Sequence, residues 1–216
     1  MIKEKQKIRN MRLFIDATIS LINEEGYDNV SIRKVGDRAL FNSATIYNYF
    51  NNIDHLKSIA AVGMIEDYIN ELKDVDKISN NSYQLLLNVW KVFLSNVYRY
   101  PKTFHVLFAR KKGKYTSTNM KTYYDVYPDK IVKMPKVLNE MLLSDDLKSR
   151  SMHLLNLCKD DGYFKEVDLD DIDNQLIYVF HGLLNDVIAS NINDYDSFMS
   201  MGIRYINNIL NTYKLK

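Results

Sequence analysis

Apolar residues at the start of the chain recur at helical spacing. Ile8, Met11, Ile15, Ile19 and Ile22 step by three or four, and Phe14, Ala17 and Leu21 widen the stripe into one face of an amphipathic helix. Gly26, after Glu24 and Glu25, suits a left-handed C-terminal cap that ends this helix. Ser31 reads as the N-cap of a second, short helix with Ile32, Val35 and Ala39 on one face. Asn42 or Ser43 caps a third, Ser43 to Phe50, which turns Ile46 and Phe50 inward and leaves Ser43, Ala44, Thr45, Tyr47, Asn48 and Tyr49 outward. Two short helices joined by a tight turn and backed by a longer one predict a helix-turn-helix.

Asn51 to Asp54 interrupts the pattern. Asp54 reads as the N-cap of a fourth helix through Leu56, Ile59, Ala60, Gly63 and Tyr68 to about Leu72. Helical pattern then covers Ser82 to Tyr100 and Pro101 to Arg110, with Pro101 acceptable as a first helical residue. Lys111 to Lys114, with Tyr115 to Thr118, reads as an exposed loop. The pattern resumes near Met120, is bent or interrupted at Pro128 and Pro135, and runs on to Leu142; Leu147 to Leu157 forms another segment. Two long helices, about Ile172 to Asn191 and about Asp196 to Tyr213, close the chain. Each is apolar on more than one face: in the first, Leu176, Leu183 and Val187 make one seam and Ile177, Phe180, Leu184 and Ile188 another, and in the second, Met199, Ile203, Ile206 and Leu210 make one and Phe198, Tyr205 and Ile209 another. A one-sided surface helix needs less, so one seam is expected to face a second copy of the chain; Gly182 and Gly202 would permit close helix approach.

Composition narrows the class. Only 7 glycines and 3 prolines in 216 residues argue against a turn-rich sandwich or barrel and for an all-α fold. The single cysteine, Cys158, excludes an internal disulfide framework and fits a reducing cytoplasm. The longest apolar run, Ile177 to Leu184, falls short of the roughly 20 residues of a membrane helix, so no membrane partner is expected. Charge is nearly balanced at +2 overall, but Lys3, Lys5, Lys7, Arg9 and Arg12 face only Glu4 at the start, and this basic arm fits a polyanion contact.

Enzyme signatures fail one by one. Around Gly113 and Lys114, Phe108 and Tyr115 stand where a phosphate-binding loop needs Gly and Ser or Thr. Ser31 to Lys34 fits Ser-x-x-Lys, a spacing common by chance. His55, His105, His153 and His181 show no ligand spacing, and the acids Asp168, Asp170, Asp171 and Asp173 lack the glycine and Glu of a calcium loop and suit a helix N-terminus. No catalytic residue, metal or cofactor is expected.

Gly26-Tyr27-Asp28, Ser31-Ile32, Ala39, Thr45-Ile46-Tyr47-Asn48-Tyr49-Phe50 and Leu56 occur at the spacings of the TetR family of transcriptional regulators, which the chain resembles over about residues 8 to 60. The resemblance implies an all-helical homodimer with an N-terminal three-helix DNA-binding domain, here 1–53. A larger domain, 54–216, would bind a small-molecule effector and dimerise through its last two helices. Carried over residue by residue, Ser43, Ala44, Thr45, Tyr47, Asn48 and Tyr49 of the third helix would meet double-stranded DNA, with Ser31, Arg33 and Lys57 on phosphates. The family usually has Gly-Val-Ser where this chain has Leu40-Phe41-Asn42, and often Lys at the place of Ile53. A left-handed Leu40 would cost about 1 kcal/mol.

The effector region is legible only as chemistry. Trp90, Phe93, Phe104, Phe108, Tyr123 and Tyr127, with Met134, Met141 and Met152 nearby in sequence, offer an aromatic, adaptable lining, and His153 and His181 could orient a ligand. The expected function is a repressor released by a small apolar or aromatic effector. The alternative is a helical cytosolic ligand- or partner-binding module that has lost operator binding.

Overall fold

The computed structural model describes residues 2–109, 116–131, 133–144 and 146–215. Among them are twelve α-helices and no strand: α1 (Ile2–Glu25), α2 (Ile32–Ala39), α3 (Ser43–Ile46), α4 (Ile53–Gly63), α5 (Glu66–Leu72), α6 (Ser82–Arg99), α7 (Pro101–Phe104), α8 (Thr116–Val126), α9 (Lys136–Leu142), α10 (Leu147–Asp160), α11 (Leu169–Ile188) and α12 (Tyr195–Tyr213). They form two compact units. The first holds residues 1–66 and 114–131, the second 67–113 and 132–216. No helix among the described residues is long and apolar enough to cross a membrane.

The sequence places most boundaries and misplaces several. The basic segment at the start is the opening of α1 rather than a separate arm. Gly26 has the expected positive φ of 85°, but its ψ of 156° takes the chain into a 3₁₀ turn, Tyr27–Asn29, instead of a left-handed cap. Asn52, not Asp54, caps the fourth helix, accepting from the His55 N–H at 2.8 Å. That helix stops at Gly63, and two tight turns, Met64 N–H to Ala61 and Ile65 N–H to Val62, separate it from α5. Thr116 to Thr118 are the first turn of α8, not loop, while the expected loop at Lys111–Tyr115 lies outside the described residues. Pro128 and Pro135 break the chain between α8 and α9.

In the first unit α4 packs against α1 and α8. Phe14 is fully buried, with Phe41, Tyr49 and Phe50 around its ring at 5.0, 5.6 and 6.3 Å. Tyr123 and Tyr127 of α8 and its flank stack at 4.6 Å, and their hydroxyls donate to Glu66 at 2.8 Å and Asp16 at 2.7 Å. Arg12 bonds the Val126 carbonyl at 2.7 Å and Asp129 at 2.9 Å, and Lys130 pairs with Glu66 at 2.5 Å. These bonds fasten residues 116–131 to α1 and to Glu66, the first residue of α5.

The second unit is centred on Phe93 of α6, with Trp90, Phe104, Phe108 and Phe180 packed around it at 5.2 to 5.5 Å. Here α10 lies between α9, α6 and α11, and α12 against α6 and α11. Gly202 makes the last contact possible: a Cβ there would stand 2.7 Å from the Leu94 side chain.

Candidate nucleic-acid interface and effector cavity

The second and third helices meet at a turn that the sequence marks as difficult. Leu40 takes the left-handed conformation, φ 59° and ψ 39°, and the Phe41 N–H returns to the Gly36 carbonyl at 2.9 Å. This is a Schellman-type ending with a leucine in the place that favours glycine. The turn is therefore kept, with the strain carried at Leu40, whose side chain is 91% exposed. Gly36 is a residue the sequence reading missed. A Cβ there would lie 2.9 Å from the Phe41 carbonyl oxygen and 3.2 Å from the Ser43 Cα, so it sets the approach of α3 to α2. The signal was a glycine inside a helix, which costs about 1 kcal/mol relative to alanine and calls for a packing reason.

Ser31 caps α2 by accepting from the Lys34 N–H at 3.4 Å, and Arg33 projects into solvent. Asn42 caps α3 by accepting from the Ala44 N–H at 2.9 Å. Only residues 43–46 are α-helical; Asn48 and Tyr49 continue in tighter turns with their N–H groups on Thr45 and Ile46. The effect on the surface is small: Ala44, Tyr47 and Asn48 are exposed, Ser43 and Thr45 half-buried, while Ile46 and Phe50 anchor the opposite side. Two residues assigned to DNA sit differently. Tyr49 is half-buried against Phe14, its hydroxyl accepting from the Asn10 amide at 2.8 Å. Lys57 is buried, with its ammonium 4.8 Å above the Tyr27 ring.

The second unit contains a cavity of about 30 Å³. Trp90 and Phe93 line it, together with Tyr68, Val89, Met141 and Leu154. Leu147, Arg150 and Ser151 complete the wall. Phe104 and Phe108 belong to the aromatic cluster behind Phe93. His153 stands 3.9 Å from Glu140, and His181 lies beside Phe180, its pKa lowered by burial and by the neighbouring His105. Tyr123 and Tyr127 are not at this cavity: both are buried in the first unit, and burial with their carboxylate partners raises both pKa values. Tyr68 stood on the apolar stripe of the fourth helix without being assigned to a ligand, while Arg150 and Ser151 escaped notice because nothing in a helical stripe marks which polar residues turn inward. Burial pushes the Tyr68 hydroxyl up to about 12. Arg150 is buried, donating to the Leu142 and Ser144 carbonyls at the end of α9, with its guanidinium 5.0 Å over Phe108.

Of the residues assigned to a dimer interface, Leu176, Leu183, Ile206 and Leu210 are buried inside the chain's own second unit and offer no surface. Val187, Met199 and Ile203 are half-buried. The open side of α11 carries Tyr178, 77% exposed, Ile188, and Gly182, whose Cα has free space around it. Among the described residues no group of His, Cys, Asp and Glu is placed to hold a metal ion. Burial pushes the Cys158 thiol up to about 12, so it stays protonated.

Residues 14–57 match the family described as "Bacterial regulatory proteins, tetR family", over the stretch from Phe14 in α1 to Lys57 in α4. Over that stretch, which spans the helix-turn-helix, the chain carries the sequence pattern of this family. No curated protein matches it. Among solved structures it is similar to a putative TetR-family regulator from Mesorhizobium loti MAFF303099, with TM-score 0.59 and 13% identity over 97% of this chain and 98% of that one. It is also similar to a TetR transcription regulator from Haloarcula marismortui ATCC 43049, with TM-score 0.59 and 14% identity over 95% and 98% of the two chains. A third is the fatty acid degradation regulator FadR from Bacillus halodurans, with TM-score 0.55 and 13% identity over 93% and 94%. At these identities the likeness establishes the fold.

Proposed function

We propose that this ligand-responsive DNA-binding regulator is a homodimeric repressor, acting in the cytoplasm, that leaves a palindromic operator when a small apolar or aromatic effector enters its second unit. The observation that carries the reading is the surface of α3. Ala44, Tyr47 and Asn48 are exposed over a fully buried Ile46, so short and amide side chains are free for base edges while the helix is held from behind. Ser31 and Arg33 supply phosphate contacts at the start of α2. Two copies of α3 in a dimer would read half-sites about 34 Å apart or a multiple of it. Tyr178, Gly182 and Ile188 on α11 support pairing there, because a large apolar side chain left in water next to an open glycine suits close helix approach.

The cavity supports the response. At about 30 Å³ it has room for one or two waters, whereas a bound effector occupies several hundred cubic ångströms. An effector must therefore part the walls, and only a ligand that favours one conformation over another can shift a two-state equilibrium. Selection of bound fragments from random duplexes, followed by titration across salt concentrations, tests the DNA reading. A recovered inverted repeat bound with steep salt dependence is expected; binding without sequence preference would favour the ligand-binding module that has lost its operator. Reciprocity tests the response, because an effector that weakens DNA binding must itself be weakened by DNA to the same factor.

A further inference from the structure

Lys3, Lys7, Asn10 and Phe14 of α1 follow one another at steps of four, three and four, so they share one face of the helix. Two contacts show what that face meets. The Asn10 amide donates to the Tyr49 hydroxyl at 2.8 Å, and the Phe14 ring packs against Phe41, Tyr49 and Phe50. Lys7 and Lys3 lie about 4.5 and 10.5 Å farther along the axis, at about 1.5 Å per residue, beyond the Asn10–Tyr49 bond. Both are exposed and, among the described residues, neither has an ion-pair partner. The opposite face of α1 points elsewhere: Arg12 bonds the Val126 carbonyl and Asp129, and Lys5 lies on that side two turns earlier. Lysines at the start of a helix oppose its dipole, whose positive end favours acids, and Glu4 is the one acid in the first turn of α1. Local electrostatics give Lys3 and Lys7 no role, whereas a polyanion lying on α3 gives them one.

We infer that Lys3 and Lys7 grip the phosphate backbone of the duplex beside the bases that α3 reads, and that the Asn10–Tyr49 bond is the latch that fixes them to the recognition segment. The inference rests on the DNA reading above and adds a contact to it. Opposite charge and continuity with the α3 surface mark duplex DNA as the occupant of this face. The Tyr49 hydroxyl then holds α1 rather than a phosphate. Phosphate contacts of this kind raise affinity for any sequence and steepen the salt dependence without choosing bases.

The full-length protein is titrated against its selected duplex and a random one across salt concentrations. Lys3→Gln and Lys7→Gln should each lower the slope of log affinity against log salt by about 0.9 per half-site and weaken both duplexes by the same factor. Lys5→Gln, the same loss of charge on the opposite face, should move the slope far less. Each variant should melt no lower than the unaltered protein, since a cation leaves the positive end of a helix. Tyr49→Phe keeps the ring and removes the bond; it should lower the slope by itself and leave it unchanged when added to Lys3→Gln with Lys7→Gln. A slope for Lys7→Gln equal to that of the unaltered protein, or an effect of Lys5→Gln as large as those of Lys3→Gln and Lys7→Gln, overturns the inference and leaves the α3 reading standing. If the unaltered protein binds no duplex, the DNA reading falls and takes the inference with it.

Discussion

Tyr123 lies so close to Gly63 that a Cβ at residue 63 would stand 2.9 Å from both its ring edge and its hydroxyl. The ring cannot move away freely, because its hydroxyl is bonded to Glu66 and its other face is stacked on Tyr127. Gly63→Ala gains about 1 kcal/mol of helix propensity and loses more, about 1–3 kcal/mol, to overpacking. A lower melting temperature in thermal denaturation is expected. An unchanged or raised one would show that the ring yields.

Leu40 offers the opposite case. Its left-handed conformation costs about 1–2 kcal/mol, and its exposed side chain gives almost no burial in return. Leu40→Gly should stabilise the protein by up to about 1 kcal/mol after the entropy of a freer unfolded chain is deducted, with DNA affinity unchanged. Gly36→Ala, which pushes a Cβ against the Phe41 carbonyl, should weaken DNA binding by changing the angle of α3. Denaturant titration and duplex binding on both variants check the pair.

Base reading should separate from backbone contact. Thr45→Ala and Asn48→Ala are expected to lose about 1–3 kcal/mol on the selected duplex and almost nothing on random duplex. Equal losses on both would assign these side chains to phosphates.

The two closing helices predict two different failures. Ile188→Glu places a charge on the exposed side of α11 and should give a folded monomer, seen as halved mass in sedimentation with helical circular dichroism retained. Ile206→Glu buries an unpaired charge in the second unit's own core and should unfold it. A chain that sediments as a monomer before any substitution would sink the dimer.

The sequence by itself determined that the chain is helical, where most helices begin and end, and that α2 and α3 present short polar residues outward from Ile46 and Phe50. Those features are local: a 3.6-residue stripe, a capping side chain or a proline break acts within a turn or two, so the pattern of neighbours is enough to read them. Tertiary structure decided what each apolar face meets. Tyr123 and Tyr127 have the same aromatic chemistry as Trp90 and Phe93, yet carboxylates at Asp16 and Glu66, far away in sequence, hold them in the first unit. The fourth helix packs with α1 and α8 for the same reason. Leu176 and Ile206 look like surplus seams until α6, α10, α11 and α12 come together and bury them in one chain. Burial of Ser151 and Asp173 was invisible too, since whether a polar residue on a helix faces water or the interior depends on the partner helix, and periodicity names the face without naming what covers it.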